Sequence, residues 1–192
     1  TGIYEGDRYT DWRLKADLDR ELLHESEDRL FSVQTSSDGF RGEVTGGEAI
    51  DVVALGCSTT FGWGVDQQDA WPQVLEQATG LRVLNAGVPG HSTHQGVSVA
   101  LELLERNPRL LILGWMVRDV QRSGQPDKMA TAPRGLRNTR VVRWLSRSSV
   151  AQSPSGGSGV RRVSPEDYEG NLKTVIEAAE GKGIPVLLLQ FP

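Results

Sequence analysis

From residue 49 onward, apolar runs of strand length alternate with amphipathic stretches of 10–15 residues. Ile50-Asp51-Val52-Val53-Ala54-Leu55-Gly56 is β-branched and apolar, as a strand buried on both faces requires. Asp69 to Thr79 follows as a helix, with Asp69 as its expected N-cap, Pro72 in the first turn and Gly80 at the stop. Leu81 to Ala86 is a second strand, Thr93 to Glu105 a second helix ended by Asn107-Pro108, and Arg109 to Met116 a third strand. Ser164 caps a further helix from Pro165 to about Glu180, and Ile184 to Phe191 forms the fourth strand. Strands alternating with helices in this way predict βαβ units, hence a three-layer α/β/α fold around a parallel sheet.

Two segments depart from that rhythm. Residues 1–48 are polar and weakly periodic, and read as a lead-in to an α/β domain over 49–192. Within the lead-in, Arg13 to Leu30 is compatible with a helix carrying Leu14, Leu18, Leu22 and Leu30 near one face. It is equally compatible with extended chain, because those leucines form no clean stripe. Residues 121–163 interrupt the α/β pattern. Arg134, Arg137, Arg140, Arg143 and Arg147 recur every three or four positions, and 153–159 is a Ser/Gly-rich linker by composition. An insertion of this kind reads either as a basic lid or as a solvated surface helix with a loose loop.

Composition narrows the function classes. With 192 residues the chain is long enough for one well-buried domain. A net charge of -4 argues against a general nucleic-acid binder. No apolar run approaches a transmembrane length, and the single cysteine excludes an internal disulfide or a multi-Cys zinc site. The three histidines lack ligand spacing, so neither a metal nor another cofactor is expected. No signal peptide is visible, and a chain beginning at Thr1 reads as processed or trimmed.

Open α/β sheets carry their working residues at the carboxyl ends of the strands. Those ends are Gly56-Cys57-Ser58 with the loop to Val65, then Asn85 to Ser92, then Gly114 to Asp119. Ser58 stands at a glycine-flanked turn where its hydroxyl and N–H can meet a substrate. Gly90 lets backbone approach closely. Trp63, beside Ser58, is the tryptophan to test for substrate contact, whereas Trp71 and Trp115 read as core. Asn85 and His91 border the same crevice, and Arg118 and Asp119 are expected at its rim. Asn85 also reads as a loop-bracing residue. No Gly-x-Ser-x-Gly elbow and no glycine-rich nucleotide loop is present.

This layout resembles the SGNH/GDSL hydrolase family. Gly56-Cys57-Ser58 is similar to its first block, followed by Thr60-Phe61-Gly62-Trp63-Gly64-Val65 and Trp71-Pro72. Val83 to Gly90 resembles the second block, Met116-Val117-Arg118-Asp119 the third, and Phe40-Arg41-Gly42 a lead-in found in some members. The resemblance implies a flavodoxin-like sheet and makes Ser58 the nucleophile, with Ser58 N–H, Gly90 N–H and Arg118 around the oxyanion. The resemblance implies an esterase acting on a small-molecule or carbohydrate ester, with O-acetyl groups on carbohydrate among the candidate substrates. The alternatives are an O-acyltransferase, or a non-catalytic glycan- or lipid-binding domain. It slightly favours an extracytoplasmic location.

Three departures stand out. Cys57 replaces an Asp and reads as a small buried residue rather than a thiol nucleophile. Arg118 replaces an Asn, exchanging an amide for a longer, charged donor. The Asp-x-x-His block that supplies the family's base does not occur before Pro192. The expectation is therefore that a final strand, that block and a closing helix lie beyond this chain, or that a partner chain completes the sheet. His91 and His94 are the in-chain alternatives as base, against capping or surface roles.

Overall fold

Glycine, proline and β-branched residues partition the chain much as the pattern predicts, and the result is a four-stranded parallel sheet with helices on both faces. The structure is a computed structural model and describes residues 2–43, 49–115, 118–130 and 159–190. The basic stripe from Arg134 to Arg147 and the linker over 153–158 lie outside the described residues.

In chain order the elements begin with β1 (Tyr4–Asp7), β2 (Asp11–Leu14), β3 (Asp19–His24), β4 (Arg29–Gln34) and β5 (Val52–Gly56). Next come α1 (Ser58–Phe61), a 3-10 turn (Gln67–Asp69), α2 (Trp71–Thr79), β6 (Val83–Gly87), α3 (Thr93–Leu104) and β7 (Leu110–Gly114). The last are β8 (Arg122–Ser123), α4 (Asp127–Ala130), β9 (Val160–Arg161), α5 (Pro165–Glu180) and β10 (Val186–Leu188). The sheet order is β10-β7-β5-β6, with every pair parallel. Val53, Leu55, Leu84, Leu111 and Leu113 face α3 and α5. The alternate residues Val52, Ala54, Val83 and Ile112 face Trp71 and Leu75 of α2. This is the three-layer α/β/α, flavodoxin-like arrangement. Among the described strands β10 pairs with β7 alone, and its Leu187 and Leu188 are about half exposed.

Capping follows the sequence with one exception. Ser92 caps α3 in a capping box with Gln95, Ser164 caps α5, and Gly80 ends α2 at φ +69°. Asp69 is not the N-cap of α2. It lies in the 3-10 turn, and Ala70 occupies the cap position without a side-chain hydrogen bond. Pro72 in the first turn removes one N–H that would otherwise need a cap, which lessens the demand for one.

The segment from 13 to 30 is extended, not helical. β1 pairs with β2 and β3 with β4, both antiparallel. Leu22 faces Phe31 across the second hairpin, while Leu23 and Leu30 pair on its outer side. Ile3, Leu14, Leu18, Phe31 and Val33 pack with Phe61 of α1, which seats the hairpins over the carboxyl edge of the sheet.

Arg41 fastens this seat. It is 1% exposed, and all five of its N–H groups are used. Nε donates to Gln67 Oε1 at 2.9 Å, Nη1 to the carbonyls of Phe61 at 2.5 Å and Gly62 at 2.6 Å, and Nη2 to those of Ser32 and Val65, both at 2.8 Å. Its carbon Cζ stands 4.5 Å from the Phe61 ring centroid. Burial pulls its pKa down to about 10, opposed by Asp66, so it stays charged at neutral pH. Arg41→Met would strip donors from four backbone carbonyls at once. We expect a loss of about 3 kcal/mol or more in urea unfolding, with little recovery in Arg41→Lys, whose three donors sit on one atom. A change in stability below about 0.5 kcal/mol would refute this role.

Candidate active site

Three adjacent strands end in glycine at one level. Gly56 of β5 is in register with Gly87 of β6 and with Gly114 of β7. The reason is steric. A Cβ on Gly56 would lie 2.1 Å from Thr60 Oγ1, and one on Gly87 would lie 2.2 Å from Phe61 N. On Gly114 it would lie 2.8 Å from Thr60 Oγ1. The bare row lets α1 sit directly on the strand ends, and the chain leaves each strand beside it.

Ser58 is the first residue of α1 and is half-buried. Its Oγ forms no hydrogen bond among the described residues, and neither does its N–H. Cys57 is wholly buried, with Sγ 3.4 Å from Thr59 Oγ1, as a small core residue would be. At the end of β6, Val88-Pro89-Gly90-His91 forms a turn closed by His91 N–H to Val88 O at 3.1 Å. Gly90 takes φ +90° there, a conformation that Pro89 ahead of it sets up and that side chains resist. The Gly90 N–H has no acceptor among the described residues. The turn is clamped on its outer side by Trp12 of β2, whose Nε1 donates to Pro89 O at 3.3 Å.

The other expected site residues divide. Trp63 is 39% exposed beside Ser58, with its N–H on Ser58 O at 2.9 Å and its ring edge-on to Phe31. Arg118 is half-buried, and its Nη1 donates to Gln121 Oε1 at 2.8 Å. Its charge also acts on the Tyr4 hydroxyl, whose pKa burial raises and Arg118 draws back. Its Nε is buried with no partner among the described residues.

Asn85, His91 and Asp119 are not open to a substrate. Asn85 is wholly buried, donating to Gln73 Oε1 at 3.1 Å and accepting from Gly87 N–H at 3.1 Å, so it braces the loop. Asp119 is 3% exposed instead of at the rim. One carboxylate oxygen accepts from Thr93 N–H at 2.9 Å and from the Thr93 hydroxyl, capping α3 from outside its own sequence. Burial pushes its pKa up against those hydrogen bonds. His91 is 2% exposed, and its Nε2 donates to the Trp12 carbonyl at 2.9 Å. That carbonyl can only accept, which fixes the tautomer with the proton on Nε2 and leaves Nδ1 as the basic nitrogen.

His94 lies in the first turn of α3, and His24 packs against Gly64 with Nδ1 3.3 Å from Ser26 Oγ. No histidine is hydrogen-bonded to Ser58 among the described residues. Among these residues no group of three or more His, Cys, Asp or Glu could hold a metal ion, and no helix is long and apolar enough to cross a membrane. Sequence reasoning missed two residues that shape the site, Trp12 and Arg162. The Arg162 Nη1 donates to Gly90 O at 2.8 Å. Neither contact has a local signature, because each spans more than seventy residues.

No family model matches the chain, and no curated protein does. Among solved structures it is similar to a protein described as lipolytic and of the G-D-S-L family, from Desulfitobacterium hafniense DCB-2. The identity is 22% and the TM-score 0.43, over 73% of this chain and 60% of that one. It is similar also to AlinE4, an SGNH-hydrolase family esterase, at 22% identity and TM-score 0.45, over 76% of this chain and 61% of that one. The chain thus spans about three fifths of the length of the solved structures it matches.

His91 gives the domain a pH signature. Burial pulls its pKa down from 6.5 to about 4, and Arg162 adds to the fall, while the bond to Trp12 and the carboxylates of Asp7 and Asp127 oppose it. Between those values the unfolded chain binds a proton that the native state refuses. Stability therefore falls as pH drops from 6.5 toward 4, by up to about 3 kcal/mol, and is flat above that window for this group. We expect His91→Gln to flatten the slope of unfolding free energy against pH in that window. Parallel slopes in the two proteins would refute it.

Proposed function

We propose that this domain is an esterase that cleaves an acyl ester through a covalent intermediate on Ser58. One observation carries the reading. The register of the three glycines brings the Ser58 hydroxyl to the same sheet edge as the turn of Gly90, and the N–H groups of Ser58 and Gly90 both have no acceptor among the described residues. In the proposed reaction Ser58 Oγ bonds to the ester carbonyl carbon as its proton passes to a base. The carbonyl oxygen becomes an oxyanion held by those two N–H groups, with Arg118 as a third, cationic donor. Collapse breaks the bond to the alcohol, which leaves with the proton. Water then adds to the acyl-enzyme by the same route and releases the acid.

The base is an imidazole supplied from outside the described residues, in keeping with the Asp-x-x-His block that the spaced motifs imply. His91 does not fill that role, because it is 2% exposed and has no hydrogen bond to Ser58 among the described residues. The exposed Trp63 ring beside Ser58 suits the apolar face of a sugar or an aryl alcohol, which fits an O-acetylated carbohydrate as substrate. Transfer of the acyl group to a sugar hydroxyl in place of water uses the same intermediate, and product analysis with an acceptor sugar present separates the two.

In the intact protein that contains this domain, Ser58→Ala should abolish fluorophosphonate labelling and lower p-nitrophenyl acetate turnover by at least about 10³-fold. Trp63→Ala should raise KM for aryl and sugar esters by about tenfold with little change in kcat. Labelling that survives Ser58→Ala would remove the basis of the proposal.

A further inference from the structure

The insertion returns to the domain through a pair of arms that are tied to each other and to the Gly90 turn. β8 and β9 pair antiparallel, matching Arg122 with Arg161 and Ser123 with Val160. Around that ribbon, Arg162 N–H donates to Gln121 O and Asp127 N–H donates to Arg162 O, both at 2.8 Å. The two side chains then close on each other. Arg162 Nε is 3.0 Å from Asp127 Oδ1, and Nη2 is 2.9 Å from Asp127 Oδ2. This is the bidentate geometry that fixes a guanidinium in orientation as well as position. Both side chains are shielded, at 14% and 9% exposure, so water does not loosen the pair.

The remaining contacts point inward. Arg162 Nη1 donates to the carbonyl of Gly90 at 2.8 Å, and the Ser92 hydroxyl donates to Asp127 Oδ2 at 2.6 Å. Ser92 is the N-cap of α3. The ion pair therefore grips the turn twice, at Gly90 and two residues later. Gly90 has no side chain of its own to set its orientation, and its φ of +90° lies where few residues rest. Trp12 packs along the turn, within 3.1 Å of where a Gly90 Cβ would stand, and so limits movement away from Arg162.

We infer that Arg162 is a positioning residue for Gly90: held by Asp127, it fixes the Gly90–His91 peptide on one side of the Gly90 Cα, while Trp12 holds the Pro89–Gly90 peptide that offers its N–H to the oxyanion, and so turnover depends on how the β8–β9 ribbon is seated. The inference rests on the reading of Ser58 and Gly90 given above. Arg162 touches no reacting atom. It acts through the Gly90 backbone, and the loss it guards against is one of aim, because a donor displaced by about 1 Å costs on the order of 10²-fold in rate.

The test uses the intact protein and p-nitrophenyl acetate. Arg162→Met should lower kcat by about 10²-fold with KM within about twofold, since the oxyanion contact is made in the transition state alone. Phenylboronic acid, which forms a tetrahedral adduct on a nucleophilic serine, should lose affinity by the same factor. Arg162→Lys keeps the charge but not the fork, and should fall between the two. A merely structural role would lower the thermal midpoint and leave kcat at 25 °C unchanged. That result, in a protein whose turnover needs Ser58, would overturn the inference while leaving the esterase reading intact.

Turnover that survives Ser58→Ala would instead defeat the esterase reading. The positioning role would then be decided by amide hydrogen exchange of His91, whose N–H closes the turn on Val88 O. Exchange at least tenfold faster in Arg162→Met, with β5 and β6 unchanged, supports it. Unaltered His91 exchange overturns it.

Discussion

The row of bare glycines at the ends of β6, β5 and β7 is the constraint on which the rest of the structure depends. With Gly87, Gly56 and Gly114 at one level, α1 lies where side chains would otherwise stand, and Thr60 and Phe61 occupy the space. So short a helix has no internal reason to persist, since a single turn seldom repays the order it demands. It is held from below by the strand ends and from above by Arg41, which takes the carbonyls of Phe61, Gly62 and Val65. A buried arginine without a carboxylate on it is costly to desolvate. Five hydrogen bonds and the face of Phe61 offset that cost, and in exchange the loop carrying Ser58 and Trp63 is fixed at both ends.

The sheet and its helices were legible because βαβ units write themselves as alternating apolar runs and amphipathic stretches, punctuated by glycine and proline. The edge that carries the candidate site was legible for the same reason, since strand ends locate it. The hairpins over 2–43 were not. Their strands are four to six residues long, and their turns place aspartates rather than glycines at positive φ, namely Asp11, Asp17 and Asp28. A period read over so few residues does not separate strand from helix. Gly39-Phe40-Arg41-Gly42 was visible as a motif, but nothing local says that its arginine reaches across to Phe61 and Val65.

Exposure was the property sequence conveyed least well. Asp119 and His91 both follow strand ends, where charged and polar residues often face a crevice. Each is turned inward by a partner distant in sequence. Asp119 is drawn to the N–H and hydroxyl of Thr93, where an anion complements the start of α3. His91 is drawn to the carbonyl of Trp12 and packs edge-on to its ring. A strand end thus predicts that a residue lies at the working edge of the sheet, but not whether it points into the crevice or into the scaffold around it.

The two sides of the site are held by different means, and the difference bears on how it works. The Ser58 side is built into the sheet, and moving it would require displacing α1 from three strands. The Gly90 side is a turn with one internal hydrogen bond, stabilised from outside by Trp12 of the hairpins and Arg162 of the insertion. Its two braces come from segments that are not part of the sheet and that are far apart in sequence. On the proposed reading, the Gly90 donor is only as well aimed as the docking of both segments, while Ser58 is held by the sheet itself. On the same reading, that asymmetry ties turnover to the seating of the hairpins and of the β8–β9 ribbon rather than to the sheet.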